Sequence, residues 1–124
     1  MRTLLLLSAV LEIPTGIALL ALPAFVVDLL LGVPLDTPGG QTVGRLAGVA
    51  LMALGSACWD GGRDTGSRAA SGVVVAMLIY NLGVVGLLSY CRCCAEMGGV
   101  ALVPAAVLHL GLALWCVAAL RSSK

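Results

Sequence analysis

Four apolar runs, about 4–22, 43–59, 69–90 and 100–120, take up most of this 124-residue chain. Each approaches the ~20 residues that an α-helix needs to cross the hydrocarbon of a bilayer. Within hydrocarbon a short chain has only the helix with which to satisfy its own backbone. The runs therefore predict an all-α polytopic membrane protein, a single domain over 1–124 with four transmembrane helices in an antiparallel bundle. Only 10% of the residues are charged, against roughly 25% in soluble domains, which is too few to coat a water-facing surface. The formal net charge of +1, with no cluster of Lys and Arg, argues against nucleic acid as a partner. The lipid bilayer is the expected one, with another membrane protein or further copies of this chain as the candidates beyond it.

Arg2 followed by Leu4–Leu7 also has the look of a cleaved signal peptide, but Glu12 interrupts the apolar run and no clean small-x-small site follows, so the span is expected to be retained. Pro14 has no N–H for the Val10 carbonyl, which predicts a kink or an extra acceptor near Glu12. Pro23 is expected to end the span. The segment 24–32 is too short to cross and reads as an interfacial helix with Asp28 facing water, the alternative being a tilted continuation of the first span to Leu31. Two prolines and the Gly39–Gly40 pair predict a loop over 33–41.

In the second span, Gly44, Gly48 and Gly55 leave room for a close helix neighbour, either inside the monomer or across a dimer. Asp60–Arg68 reads as a solvated turn, and Cys91–Gly99 as a second connection.

Four spans put both termini and the 60–68 turn on one side. That side carries Arg2, Arg63, Arg68, Arg121 and Lys124, whereas the other carries Arg45 and Arg92. The positive-inside rule then predicts an inner-membrane, multi-pass protein with cytoplasmic N- and C-termini. Trp59 and Trp115 fall near the cytoplasmic interface and Tyr90 near the outer one, as an aromatic belt requires. Asp28 and Arg45 fall near the same outer interface and are candidates for an ion pair. The alternative is that Arg45 snorkels to headgroups.

Polar side chains at membrane depth are costly, roughly 2.5–3.5 kcal/mol for an ionised one on insertion scales, and so need partners. Glu12, Asn81 and His109, the last being the only histidine, lie at about 12, 18 and 16 Å from the cytoplasmic ends of their spans at ~1.5 Å per residue. Three helices of a bundle would bring them together. A Glu beside a His can share a proton, and Asn81 would orient either group. The trio is thus a candidate for ligand binding or proton relay, or else a polar network that holds the helices in register.

Cys91, Cys93 and Cys94 form an outward-facing cluster. As metal ligands they lack a fourth partner unless Glu96 serves, and their spacing is not that of a structural zinc site, so free thiols or an intermolecular disulfide are the plainer expectation. Cys58 and Cys116 read as small core residues. No phosphate-cradling loop, Ser-His-Asp pattern or paired carboxylates point to catalysis, one histidine excludes a bis-His haem within one chain, and no cofactor is assigned. No convincing inverted repeat supports a transporter.

The Pro23–Gly32 segment, Arg45-Leu-Ala-Gly48, Tyr80-Asn81 and the stretch from Pro104 to His109 together resemble small four-span bacterial membrane proteins, loosely DoxX-like. The resemblance covers most of the chain and implies a four-helix membrane fold, but brings no activity or catalytic residue. The Cys91–Cys94 cluster departs from that pattern. The expected function is a ligand-binding or accessory subunit with a midplane polar site. A small oligomeric transporter or channel subunit is the alternative, and a quinone-linked redox protein the third.

Overall fold

The structure, a computed structural model, describes residues 1–122. Lys124, counted above among the basic residues, lies outside them. The described chain forms α1 (Arg2–Ala21), α2 (Pro23–Leu31), α3 (Pro38–Arg63), α4 (Arg68–Cys93) and α5 (Leu102–Arg121). α1, α3, α4 and α5 are long and apolar enough to cross a membrane, as in a multi-pass membrane protein. Their outward faces carry apolar side chains such as Val10, Ile17, Leu46, Ile79, Val107 and Leu114, a surface suited to lipid rather than water.

The helix limits follow local chemistry. Pro23 begins α2, and Gly32, left-handed at φ 67°, ends it. The short helix expected after the first span is therefore present. The Thr37 hydroxyl accepts the Gly40 N–H at 3.0 Å, and Pro38 stands at the first helical position, so α3 starts inside the stretch expected to be loop. It also runs on to Arg63, shortening the expected 60–68 turn. The reason is packing: a Cβ on Gly62 would lie 2.9 Å from Leu6 Cδ2, so these glycines seat a helix against α1 and do not break it. Ser67 Oγ accepts the Ala70 N–H at 3.1 Å and opens α4, which continues through Cys93, beyond the expected end at Tyr90.

α1 lies antiparallel on α3, and α4 pairs with α5; α3–α4 and α1–α5 contacts join the two pairs into the bundle. The α1–α3 approach is the closest. A Cβ on Gly16 would fall 2.6 Å from the Gly48 carbonyl oxygen, and one on Gly48 would fall 2.6 Å from the Gly16 carbonyl oxygen. Gly44 meets Pro23 and Gly55 meets Ile13 along the same seam. The glycine stripe of the second span is thus used inside the monomer.

The packed core sits at the end of the bundle that carries the termini, where Leu4, Leu5, Ala9, Cys58, Val74, Met77, Leu112 and Cys116 close on one another. At the other end α2 lies across the bundle. Its last carbonyls are clasped by the α4–α5 connection: the Gly98 N–H donates to Leu31 O at 2.9 Å and the Ala101 N–H to Leu29 O at 3.0 Å. Gly99 fits there because a Cβ would collide with the Leu29–Leu30 backbone.

Candidate functional site

Between the packed end and the α2 end, the polar residues of α1, α4 and α5 converge. Glu12 is 3% exposed and Asn81 fully buried. The Asn81 Nδ2 amide donates to the Met77 carbonyl one turn back at 2.7 Å. This turns Oδ1 toward α5, where it lies 2.6 Å from His109 Nδ1. The opposite amide rotamer would set two carbonyl-type oxygens against each other at Met77, so Oδ1 is the acceptor and His109 Nδ1 carries the proton. The His109 ring meets Tyr80 edge to face, with centroids 5.5 Å apart and planes at 82°. The Tyr80 hydroxyl in turn lies beside the Glu12 carboxyl and interacts with it. The chain of contacts is therefore Glu12–Tyr80–His109–Asn81–Met77 O, and it crosses three helices. Glu12 and His109 come together through Tyr80 and not by a direct bond.

Tyr80 was not among the residues expected at the site. Its signal was its depth: a tyrosine in an aromatic belt belongs at the interface, and Tyr80 adjoins Asn81 at mid-span. Ser8 was also missed. It lies one turn before Glu12 on the same face of α1, is fully buried, and its hydroxyl has no hydrogen-bond partner among the described residues.

Two cavities adjoin this chain. The smaller, about 80 Å³, is lined by Leu11, Glu12, Thr15, Tyr80, Leu108, His109 and Leu112. The larger, about 320 Å³, extends toward α2 and is walled by apolar residues of all five helices, among them Leu19, Leu30, Leu51, Val84 and Ala105. Tyr80, His109, Thr15 and Leu108 belong to both, so the aromatic pair stands where the two meet.

No family model, curated protein or solved structure matches this chain. Its function therefore rests on its own geometry.

The Asp28–Arg45 ion pair is not formed, and no ion pair occurs among the described residues. Arg45 Nε instead donates to the Leu20 carbonyl at 3.3 Å. Leu20 lies in the last turn of α1, where carbonyls lack intrahelical donors and the helix dipole is negative, which is what a guanidinium satisfies. Asp28 is exposed on α2. Val10 and Pro14 are both exposed, on the face of α1 away from buried Glu12, so the carbonyl freed by the proline is not part of the site. Cys91 is half-buried and Cys93 and Cys94 are exposed, all three as free thiols at the α2 end. Among the described residues no three His, Cys, Asp or Glu side chains converge as a metal-binding set. Cys58 and Cys116 are buried in the core, as expected of small apolar side chains.

Proposed function

We propose that this is a ligand-binding or accessory subunit of a bacterial inner membrane, holding an apolar molecule with its polar head at the Tyr80–His109 pair. One observation carries this reading: an apolar cavity of about 320 Å³ within the bundle ends on the polar cluster that joins α1, α4 and α5. Small-molecule sites are typically ~300–1,000 Å³, mostly apolar, with a few fixed polar groups. Glu12 and Asn81 hold those two rings in place, and α2, clasped by the α4–α5 connection, covers the cavity at its far end. Cytoplasmic termini are part of the proposal, supported by the excess of Arg on the termini side, as is the kinship with DoxX-like four-span proteins. The alternative, a small oligomeric transporter or channel subunit, is less well supported, because the core at the termini side is filled by fully buried Leu4, Leu5, Val74 and Met77 and leaves no path through one chain.

Native mass spectrometry of the protein released gently from its own membrane tests the reading. A monomer or dimer with a discrete added mass is expected. A bare, larger homo-oligomer would turn the assignment to transport. A stable complex with another subunit would favour the accessory role.

A further inference from the structure

The hydrogen-bond inventory at the inner end of the larger cavity is one-sided. The Tyr80 hydroxyl faces the Glu12 carboxyl, and the Thr15 hydroxyl donates to the Leu11 carbonyl at 2.7 Å. His109 Nδ1–H is spent on Asn81 Oδ1 at 2.6 Å. Asn81 itself, fully buried, does not line the cavity. Every polar donor that reaches the cavity therefore already faces a protein acceptor.

What remains is an acceptor. With the proton on Nδ1, the uncharged imidazole carries its lone pair on Nε2. That atom has no partner within the described residues, yet it is not sealed off by protein atoms as Ser8 Oγ is. His109 is half-buried and lines both cavities, so its ring borders space that an apolar molecule would fill.

We infer that the cavity selects a hydroxyl-headed hydrophobe whose O–H donates to His109 Nε2. This rests on the proposed binding role and narrows its ligand class. A head that can only accept, such as a ketone, an ester or an oxidised quinone, finds no free donor at this point and must be desolvated without return. A hydroxyl gains one hydrogen bond in a water-poor setting. The same hydroxyl chemistry is offered by a free long-chain alcohol and by the glycerol hydroxyl of a diacylglycerol.

The test uses the full chain, purified and returned to phosphatidylcholine vesicles. It is exposed to a straight-chain alcohol with a mid-chain diazirine, or to the methyl ether of the same probe. Labelling at Leu30, Val84 and Ala105 is quantified by peptide mass spectrometry. The alcohol is expected to half-saturate the site at a concentration about threefold to tenfold lower than the ether, the net worth of one hydrogen bond. H109F keeps a ring against Tyr80 and removes Nε2, so it is expected to bring the ratio to one by weakening the alcohol alone. Should H109F fail to fold, the ratio on the unmodified protein decides by itself. Equal labelling by the two probes, or preference for the ether, overturns the donor-head inference while the cavity remains a binding site. Absence of cavity labelling by either probe overturns the binding role as well. Competition by unlabelled diacylglycerol assigns the hydroxyl to a membrane lipid, and failure of that competition assigns it to a free alcohol.

Discussion

Asn81 Oδ1 and His109 Nδ1 stand 2.6 Å apart, and this bond ties α4 to α5 at mid-membrane. It also sets the imidazole tautomer, because Asn81 uses its amide N–H on the Met77 carbonyl. Removing either partner strands the other in a place where water cannot replace it. N81L is expected to destabilise the protein by about 0.6–1.7 kcal/mol, the span measured for interhelical hydrogen bonds in membrane proteins. The N81L/H109F pair is expected to cost less than the sum of the single changes, since no polar atom is then left unpaired. Unfolding in mixed micelles measures both. Strict additivity would show that the two side chains do not act as a pair.

The α1–α3 seam yields a sharper contrast. A side chain at Gly48 meets the Gly16 carbonyl, which is backbone and has nowhere to go. G48V is expected to destabilise by about 1–3 kcal/mol or more, as overpacking does. At Gly83 nothing lies within 4 Å of a Cβ, and G83A is expected to stay within about 0.5 kcal/mol of the parent or to gain through helix propensity. Thermal melts in detergent, read by size-exclusion recovery, compare the two. Similar melting temperatures would refute the seam.

Ser8 gives the opposite sign. Its hydroxyl is buried with no partner among the described residues, so S8A removes a desolvated polar group at little cost in packing. The expected change lies between neutral and a gain of about 1 kcal/mol. A loss above 1 kcal/mol would mean that Ser8 holds something the chain alone does not supply, such as a buried water.

The fold was legible because the length and polarity of an apolar run are set by the membrane, and Leu4–Leu22 or Leu102–Leu120 admit little else. Helix ends were less so. Gly61 and Gly62 carry turn chemistry, and only the nearness of Leu5 and Leu6 on another helix explains why α3 runs through them. Glu12, Asn81 and His109 were legible from depth alone, since a polar group in hydrocarbon must find company. The bridge through Tyr80 was not, because a tyrosine within an apolar run reads first as bulk. Asp28 and Arg45 share a depth but not a direction: Arg45 turns to the end of α1. The clasp on α2 is made by backbone groups of Leu29, Leu31, Gly98 and Ala101, whose pairing no side-chain pattern announces.

The cysteines report on topology without mutation. Cys93 and Cys94 are exposed at the end opposite the termini, whereas Cys58 and Cys116 are buried in the core. If the termini are cytoplasmic, a membrane-impermeant maleimide added outside is expected to modify Cys93 and Cys94 in intact cells, and Cys58 and Cys116 only after denaturation. Modification of Cys93 and Cys94 only after the cytoplasmic face is opened would invert the topology.

The α2 clasp separates the cover of the cavity from the polar cluster beneath it. Gly99 lies so close to the Leu29–Leu30 backbone that no Cβ fits, and it sits between the two residues that hold the α2 carbonyls, Gly98 and Ala101. G99L is expected to push α2 off the connection while leaving the α1–α3 seam and the Asn81–His109 bond intact. The cavity would then stand open at its far end, and a bound apolar molecule would leave faster, because most interface changes act on the rate of release. Competitive displacement of a fluorescent long-chain alcohol is expected to speed up by roughly tenfold, about 1.4 kcal/mol, with little change in unfolding. Unaltered release from a displaced α2, shown by faster hydrogen exchange at Gly98 and Ala101, would mean that α2 covers nothing.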